Sequence, residues 1–586
     1  MKAATMPSDL PGPRFDPKQI PFSHYGSWLS LSPVTANARY ADDLHLVSHQ
    51  QGMHPVLSLH AVTSAGFRAD ARTEAVPSHL TWLAECGRIE AVFASADTLR
   101  LRGNGLRLRI DAAAAALTPF SGTYLYHDPV DGAFVFTSYQ TGRRYRITVL
   151  AGAAAVTGDQ ALGTAARSVA IGAADGAPGW EIAIEEYEAG RVPYRPAGTF
   201  EQAMRAAAAA FTAFADRVAP WRGERTPAAT RAAYVLWSAT VRPAGFLTRP
   251  AVLMSKHWMN KVWSWDHCFN ALALAGGEAD LAWHQFVLPF DYQDPAGALP
   301  DSVTHSEVLY NYVKPPVHGW ALSLLRRRLA SLTHADMEET YLRLERWTGY
   351  WLGRRAAGSP LPHYHHGNDS GWDNATTFDA ARVVESADLA AFLVLQMREL
   401  AALAEHIGKP DAGLRWQDES RRLLARMLEL LWTGERFAAR IVATGQLRTS
   451  ESLLDVMPIV LGDLLPAHVH TALARQVRRH LSEHGPATET PGSPRYSADG
   501  YWRGPIWAPS TVLIEDGLRR AGHVALADEV SRRFRALCET SGFAENFDAA
   551  TGAGQRDRAY TWTASSYLIL AEAAARRSSG HGPARG

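Results

Sequence analysis

At Thr199 the apolar residues of this chain change period, and the change divides it into two parts of different class. Before it, apolar and polar residues alternate as on half-buried strands. Thr98–Arg102 and Leu106–Ile110 flank Gly103-Asn104-Gly105, which predicts a strand pair around a glycine turn. Residues 134–136, 144–149 and 180–185 continue the alternation. Long helical patterns are scarce here, so a β-sandwich-like domain is expected. From Phe200 to Val218 an Ala-rich stretch has helical propensity throughout. Helical apolar spacing then recurs at 226–240, 318–331, 336–353, 384–406, 412–432, 465–483, 507–522, 524–540 and 560–577. Roughly 360 residues at about 30 per helix and loop give about twelve helices. Twelve suits a closed ring of six helical hairpins, an (α/α)6 barrel; a solenoid is the rival, but no short repeat is visible. The expected fold class is mainly α, with an N-terminal β-sandwich-like domain (1–195), a helical linker (196–224), the barrel (225–578) and a flexible tail (579–586).

Lys+Arg and Asp+Glu both number 59, so no global field gathers nucleic acid or an anionic membrane. With 47% hydrophobic and 20% charged residues the chain is not mainly disordered. Cys86, Cys268 and Cys538 are too few and too scattered for a disulfide framework or a cysteine metal site. The opening residues lack the apolar core of a signal peptide, and no apolar run reaches the ~18 residues that span a bilayer. A soluble, cytoplasmic protein is expected, without membrane or nucleic-acid partners and without a cofactor. Its oligomeric state is open.

On a helical scaffold, function belongs in the loops that interrupt the pattern. Lys256–Asp266 carries three Trp and one Asp at the entry to an apolar helix expected over 268–275. Residues 291–318 hold GALPD (297–301) and KPPVHGW (314–320). A third loop runs from His363 to Asn374, and a fourth region holds YWRGPIW (501–507) and FAENF (543–547). Carboxylates interleaved with aromatic rings suit carbohydrate hydrolysis. Rings stack on the C–H faces of a sugar, carboxylates accept its hydroxyl protons, and two further carboxyl groups move protons across the glycosidic bond. The acid of that pair must stay protonated near neutral pH, in surroundings that disfavour ionisation. Asp373, behind Trp372 in a glycine-rich loop, suits the acid; Glu545, between Phe543 and Phe547, suits the base.

Together the motifs WSWDHCFNALAL (263–274), KPPVHGW (314–320), SGWDNA (370–375), YWRGPIW (501–507), ENFDAATGAG (545–554) and YTWTASSYL (560–568) resemble glycoside hydrolase family 63. That group holds processing α-glucosidase and bacterial mannosylglycerate and glucosylglycerate hydrolases. The resemblance covers roughly 250–575 and implies an (α/α)6 catalytic barrel that hydrolyses α-glycosides with inversion. It implies Asp373 as general acid, Glu545 as general base and Asp266 in the pocket for the non-reducing sugar. Trp263, Trp265, Lys314, Gly371, Trp372, Tyr501, Trp502, Arg503 and Trp507 complete the expected substrate-binding set. The loop reads SGWDNAT, where many relatives have Ser-Pro after the Asn. An inverting exo-α-glucosidase of small glycosides or oligosaccharides is the expected activity. A sugar phosphorylase and a non-catalytic sugar-binding protein are the alternatives.

Each candidate also has a structural alternative. Asp373 and Asp266 are residues that cap helices, and Glu545 suits an exposed turn before Gly552. The tryptophans suit packing, Arg503 a structural carboxylate and Lys314 a loop-anchoring ion pair. Asp369 and Asp379 are second choices for the acid. His363, His365 and His366 lie too close together for a zinc site, so no metal is expected.

Overall fold

The computed structural model describes residues 12–114, 116–118 and 121–578. The expected tail, 579–586, lies outside them. Two compact units are present. The first comprises residues up to Asp216 with Ala233–Asn260 and Thr304–Ser306; the second comprises Arg217–Ala232, Lys261–Val303 and residues from Glu307 onward.

Among the described residues of the first unit, fourteen strands build two large sheets. In chain order they are β1 (Leu29–Ala36), β2 (Arg39–Ser48), β3 (His54–Val62), β4 (Arg72–Val76), β5 (His79–Ala84), β6 (Gly87–Ser95) and β7 (Thr98–Asn104). There follow β8 (Arg107–Ala112), β9 (Thr123–His127), β10 (Phe134–Ser138), β11 (Arg143–Ala151), β12 (Ala153–Thr157), β13 (Ser168–Gly172) and β14 (Trp180–Tyr187). They form a six-stranded sheet, β1-β2-β3-β8-β13-β12, and an eight-stranded sheet, β4-β5-β6-β7-β14-β11-β10-β9. The buried Glu186 of β14 accepts a hydrogen bond from Ser48 Oγ of β2 at 3.2 Å, tying one sheet to the other.

The expected pair around Gly103-Asn104-Gly105 is corrected here. Both strands exist, yet they do not pair: β7 lies between β6 and β14, and β8 between β3 and β13. The glycines carry the chain from one sheet to the other instead of reversing it. Gly105 has φ +73°, and a Cβ there would sit 2.0 Å from the Cys86 carbonyl oxygen. Alternation identifies a strand but not its partner. With two such sheets, "mainly α" understates the strand content.

Helices α1 (Phe200–Val218) and α2 (Ala229–Ala239) precede the barrel elements. These are α3 (His267–Leu274), α4 (Ala279–Val287), α5 (His318–Leu325), α6 (His334–Gly349), α7 (Ala387–His406) and α8 (Pro410–Leu431). They continue with α9 (Ala467–His480), α10 (Ala508–Arg520), α11 (Val524–Ser541) and α12 (Thr561–Ser578). The 3-10 stretch Leu453–Leu464, interrupted at Gly462, lies between α8 and α9.

Neighbour contacts close a ring of six inner elements: α3, α5, α7, Leu453–Leu464, α10, α12 and back to α3. This is the (α/α)6 barrel. Inner and outer members differ in their apolar patterns as burial demands. Every residue of α3 is buried, whereas α8 buries one stripe, including Ala412, Ser420, Leu423, Met427 and Leu431. Among the described residues no helix is long and apolar enough to cross a membrane.

Candidate active site

The candidate residues lie in the loops that lead into inner helices. Asp266 immediately precedes α3 and Lys314 precedes α5. Asp373 precedes α7, Tyr501–Trp507 run into α10, and Glu545 lies ahead of α12. Helix N-termini favour negative charge by up to about 2 kcal/mol in part-buried settings. Burial opposes this and wins at the three acidic candidates, all of which are raised from their ordinary values.

Asp373 is half-buried. Burial raises its pKa, and the Lys314 charge pulls against that rise; the Asp301 charge adds to it, and hydrogen bonding to the Tyr501 phenol lowers it again. Its neighbours fix the loop. Asn374 Nδ2 donates to the Gly500 carbonyl at 3.0 Å and its Oδ1 accepts from Trp502 N at 3.0 Å. Gly371 has φ +73°, and a Cβ there would come 2.6 Å from Trp265 Cζ2, so only glycine lets this loop lie against that ring. Tyr501 is held at φ +64°, a strained value for a residue with a Cβ. Arg556, whose backbone is likewise at positive φ (+57°), places its guanidinium 5.0 Å over the Tyr501 ring.

Glu545 is buried, not exposed at a turn. It begins a tight hairpin in which Asn546–Phe547 pairs with Gly554–Gln555. Its own N–H donates to the Asp557 carbonyl at 2.7 Å. Burial pushes its pKa up to about 8; the charges of Asp557 and, less strongly, Asp373 add to the rise, and Arg556 opposes it. Asp373 and Glu545, 172 positions apart in the chain, are thus within electrostatic reach of each other. The Tyr501 phenol feels both of their charges.

Asp266 occupies the cap position of α3 but makes no side-chain cap hydrogen bond. Its Oδ2 is buried without a partner, and burial pushes its pKa up to about 8. Lys314 is the cation that acts on Asp266 and Asp373. It lies 3.3 Å from Asp301 and donates to the Asn368 carbonyl at 2.8 Å, so the loop-anchoring ion pair forms.

The tryptophans use their faces on one another. Trp372 lies 4.5 Å from Trp502, which stacks on Trp507 at 4.0 Å and 6°. Trp507 meets Trp562 edge-on at 5.5 Å, and Trp562 meets Trp265 at 5.7 Å. All five are buried, while Trp263 is half-buried. The Nε1 atoms of Trp502 and Trp562 are buried donors without partners. Arg503 donates to the Asn374 carbonyl at 2.6 Å and to Asp379 at 2.5 Å. Asp379 also pairs with Arg495. Asp369 accepts from Arg355 at 2.8 Å and from the His365 N–H at 2.9 Å. These ion pairs engage both second-choice acids. His363 stacks on His365, and His366 stacks on Tyr312. Among the described residues no group of three or more His, Cys, Asp or Glu is arranged to hold a metal.

Sequence reasoning did not select Asp301, Arg556, Asp557 or Tyr560. Each acts on the candidate carboxyl groups or on Tyr501. Asp301 lies in a loop singled out by sequence, and Arg556 and Asp557 fall between two quoted motifs, so adjacency was the available signal.

Residues 259–563, more than half of the chain, match the family model described as the mannosylglycerate hydrolase MGH1-like glycoside hydrolase domain. The mannosylglycerate hydrolase of Rubrobacter radiotolerans is 25% identical over 423 residues, covering 55% of this chain and 92% of that protein. The glucosylglycerate hydrolase of Mycolicibacterium hassiacum is 22% identical over 446 residues, covering 58% of this chain and 97% of its own. A bacterial glucoamylase solved with acarbose shares the fold at a TM-score of 0.63 and 11% identity, covering 97% of this chain and 95% of its own.

Proposed function

The chain belongs to the mannosylglycerate hydrolase MGH1-like glycoside hydrolases, and from that premise we propose that it is an inverting, exo-acting hydrolase of small α-glycosides, α-glucosides foremost. Asp373 is the general acid, protonating the departing oxygen, and Glu545 is the general base, taking a proton from the attacking water. Asp266 accepts hydroxyl protons of the non-reducing sugar. The observation that carries the reading is the pair itself: two carboxyl groups from distant loops, both with raised pKa values and both acting on Tyr501. The unpartnered Asp266 Oδ2 and the unpartnered indole N–H groups of Trp502 and Trp562 support it. A polyhydroxylated ligand donates to the first and accepts from the others.

Burial pushes the pKa of Glu545 up to about 8, so it holds its proton at neutral pH, although a base must release it. Substrate binding moves the two groups apart in the required directions. Asp373 is half-buried, so a sugar that covers it removes water and raises its pKa further. Glu545 is already buried, and hydrogen bonds from water and sugar hydroxyls lower it.

The test is a panel of α-glucosides, α-mannosides and their glycerate derivatives, with product anomers followed by proton NMR. The first sugar released is expected to be the β anomer, with no requirement for inorganic phosphate. An α product, or turnover that depends on phosphate, overturns the mechanism. Asp373→Asn and Glu545→Gln should each lose about 10²–10⁴-fold in turnover. Asp373→Asn should recover on a glycosyl fluoride, whose leaving group needs no proton, while Glu545→Gln should not.

A further inference from the structure

Besides the Asn374 contacts, the segment Asp373-Asn374-Ala375-Thr376-Thr377 is held by two buried carboxylates that the chemistry above does not use. Thr376 Oγ1 donates to Glu489 Oε2 at 2.7 Å, and Ser493 donates to the other Glu489 oxygen at 2.6 Å. Thr377 Oγ1 donates to Asp455 Oδ1 at 2.8 Å. Ser450 donates to Asp455 Oδ2 through its hydroxyl at 2.7 Å and its N–H at 3.1 Å. Glu489 is 1% exposed and Asp455 9%.

A buried carboxylate satisfied by hydroxyl and amide donors is costly compared with a neutral residue of the same shape, because the desolvation of its charge is only partly repaid. Two of them under one five-residue segment need a reason. Thr376 and Thr377, both buried, border a cavity of about 350 Å³, with Glu489, Ser493 and Asp379 also on its wall, so packing is incomplete on that side. On this wall, hydrogen bonds to the two carboxylates tie the segment down.

We infer that Glu489 and Asp455 are positioning residues for Asp373, acting through Thr376 and Thr377 to hold the carboxyl in reach of the glycosidic oxygen. The inference rests on the reading of Asp373 as the acid. A charged acceptor fixes a hydroxyl donor more strongly than a neutral one does. It therefore narrows the positions open to a loop that borders empty space. Displacement of a reacting group by about 1 Å costs on the order of 10²-fold in rate.

The experiment compares Thr376→Val, Thr376→Ser, Thr377→Val and Glu489→Gln with Asp373→Asn. Two α-glycosides of the sugar that the wild type accepts are used, one with glycerate as leaving group and one with fluoride. Thr376→Val and Glu489→Gln are expected to lower kcat on the glycerate glycoside by about 10–100-fold with little change in KM. They should leave the fluoride within about threefold of wild type and shift the alkaline limb of the pH profile. Thr376→Ser, which keeps the donor, should restore turnover. Thr377→Val reports on Asp455 without touching a charge, so the inference stays testable if Glu489→Gln fails to fold. Equal losses on both substrates, or no benefit from Ser over Val, would make the two carboxylates merely structural and overturn the inference. If Asp373→Asn itself fails to distinguish the substrates, the assignment of the acid falls and takes the inference with it. A selective Asp373→Asn beside unselective Thr376→Val and Glu489→Gln sinks the positioning role alone.

Discussion

Asp266 shows at the scale of one residue how a site is stored at the expense of stability. Its carboxyl is buried, lacks a partner on Oδ2, and is pushed up to about 8. A carboxyl whose folded pKa is raised binds its proton more tightly than the unfolded chain does. Its contribution to stability is therefore greatest at low pH and falls as pH rises from the ordinary range near 4 through about 8. Asp266→Asn removes the penalty, so this variant should gain on wild type by about 1–3 kcal/mol between pH 5 and pH 9. Thermal unfolding across that range checks it; a variant that loses ground with rising pH contradicts it. Turnover should fall in the same variant, since an amide does not accept a sugar hydroxyl as a carboxylate does. In the working form Asp373 carries its proton and Glu545 has released its own. Burial places the ionisation of Glu545 in the free enzyme at about 8. The kcat/KM profile should therefore carry a limb near pH 8, where Glu545 ionises. Activity still climbing at pH 10 would refute it.

Among the elements, the loop that bears Asp373 is defined by its glycine. Gly371→Ala places a side chain at φ +73° and a methyl group 2.6 Å from Trp265 Cζ2. The variant should lose about 1–3 kcal/mol of stability. It should also lose turnover disproportionate to that figure, because Trp265 and Asp373 move together; denaturant titration and steady-state kinetics on the same preparations decide it. Elements differed in how far their sequence betrayed them. The Ala-rich stretch 200–218 was readable to the residue, because propensity and spacing agree along it. The short α4 escaped notice: Ala279–Val287 gives barely two turns of pattern. Leu453–Leu464 escaped because an apolar run broken by Pro458 has no clear period. In the β unit, alternation found β7 and β8 but said nothing of their partners, which depend on strands far away in the chain. For the candidate site, motifs pointed to residues with distinctive neighbours, such as Asp373 and Glu545. They could not point to Asp301, Arg556, Glu489 or Asp455, whose chemistry exists only once loops meet in space. The aromatic motifs misled in one respect: Trp502 and Trp507 present their faces to each other, not to an open surface.

At the scale of the molecule, a ring of inner helices closes only when its last member meets its first, and α12 follows α3 by nearly the whole length of the barrel. The seam is specified by polar groups. Ser565 Oγ donates to Asn270 Oδ1 at 2.8 Å, and Asn270 Nδ2 donates to Thr561 Oγ1 at 3.3 Å. Arg328 adds a bond to the Leu272 carbonyl and an ion pair to Glu572, each at 3.1 Å. Apolar faces alone let two inner helices slide along each other, whereas a buried amide satisfied on both sides accepts one register. Asn270→Ala leaves Ser565 without its acceptor and should destabilise the protein by about 1–3 kcal/mol. The residues of this contact are about 295 positions apart, so it forms late and opens early. The loss should consequently appear mainly as faster unfolding, with the refolding rate little changed. Stopped-flow unfolding and refolding of Asn270→Ala decide the matter: if refolding slows by the full amount instead, α3 and α12 meet early, and ring closure guides the folding of the barrel instead of completing it.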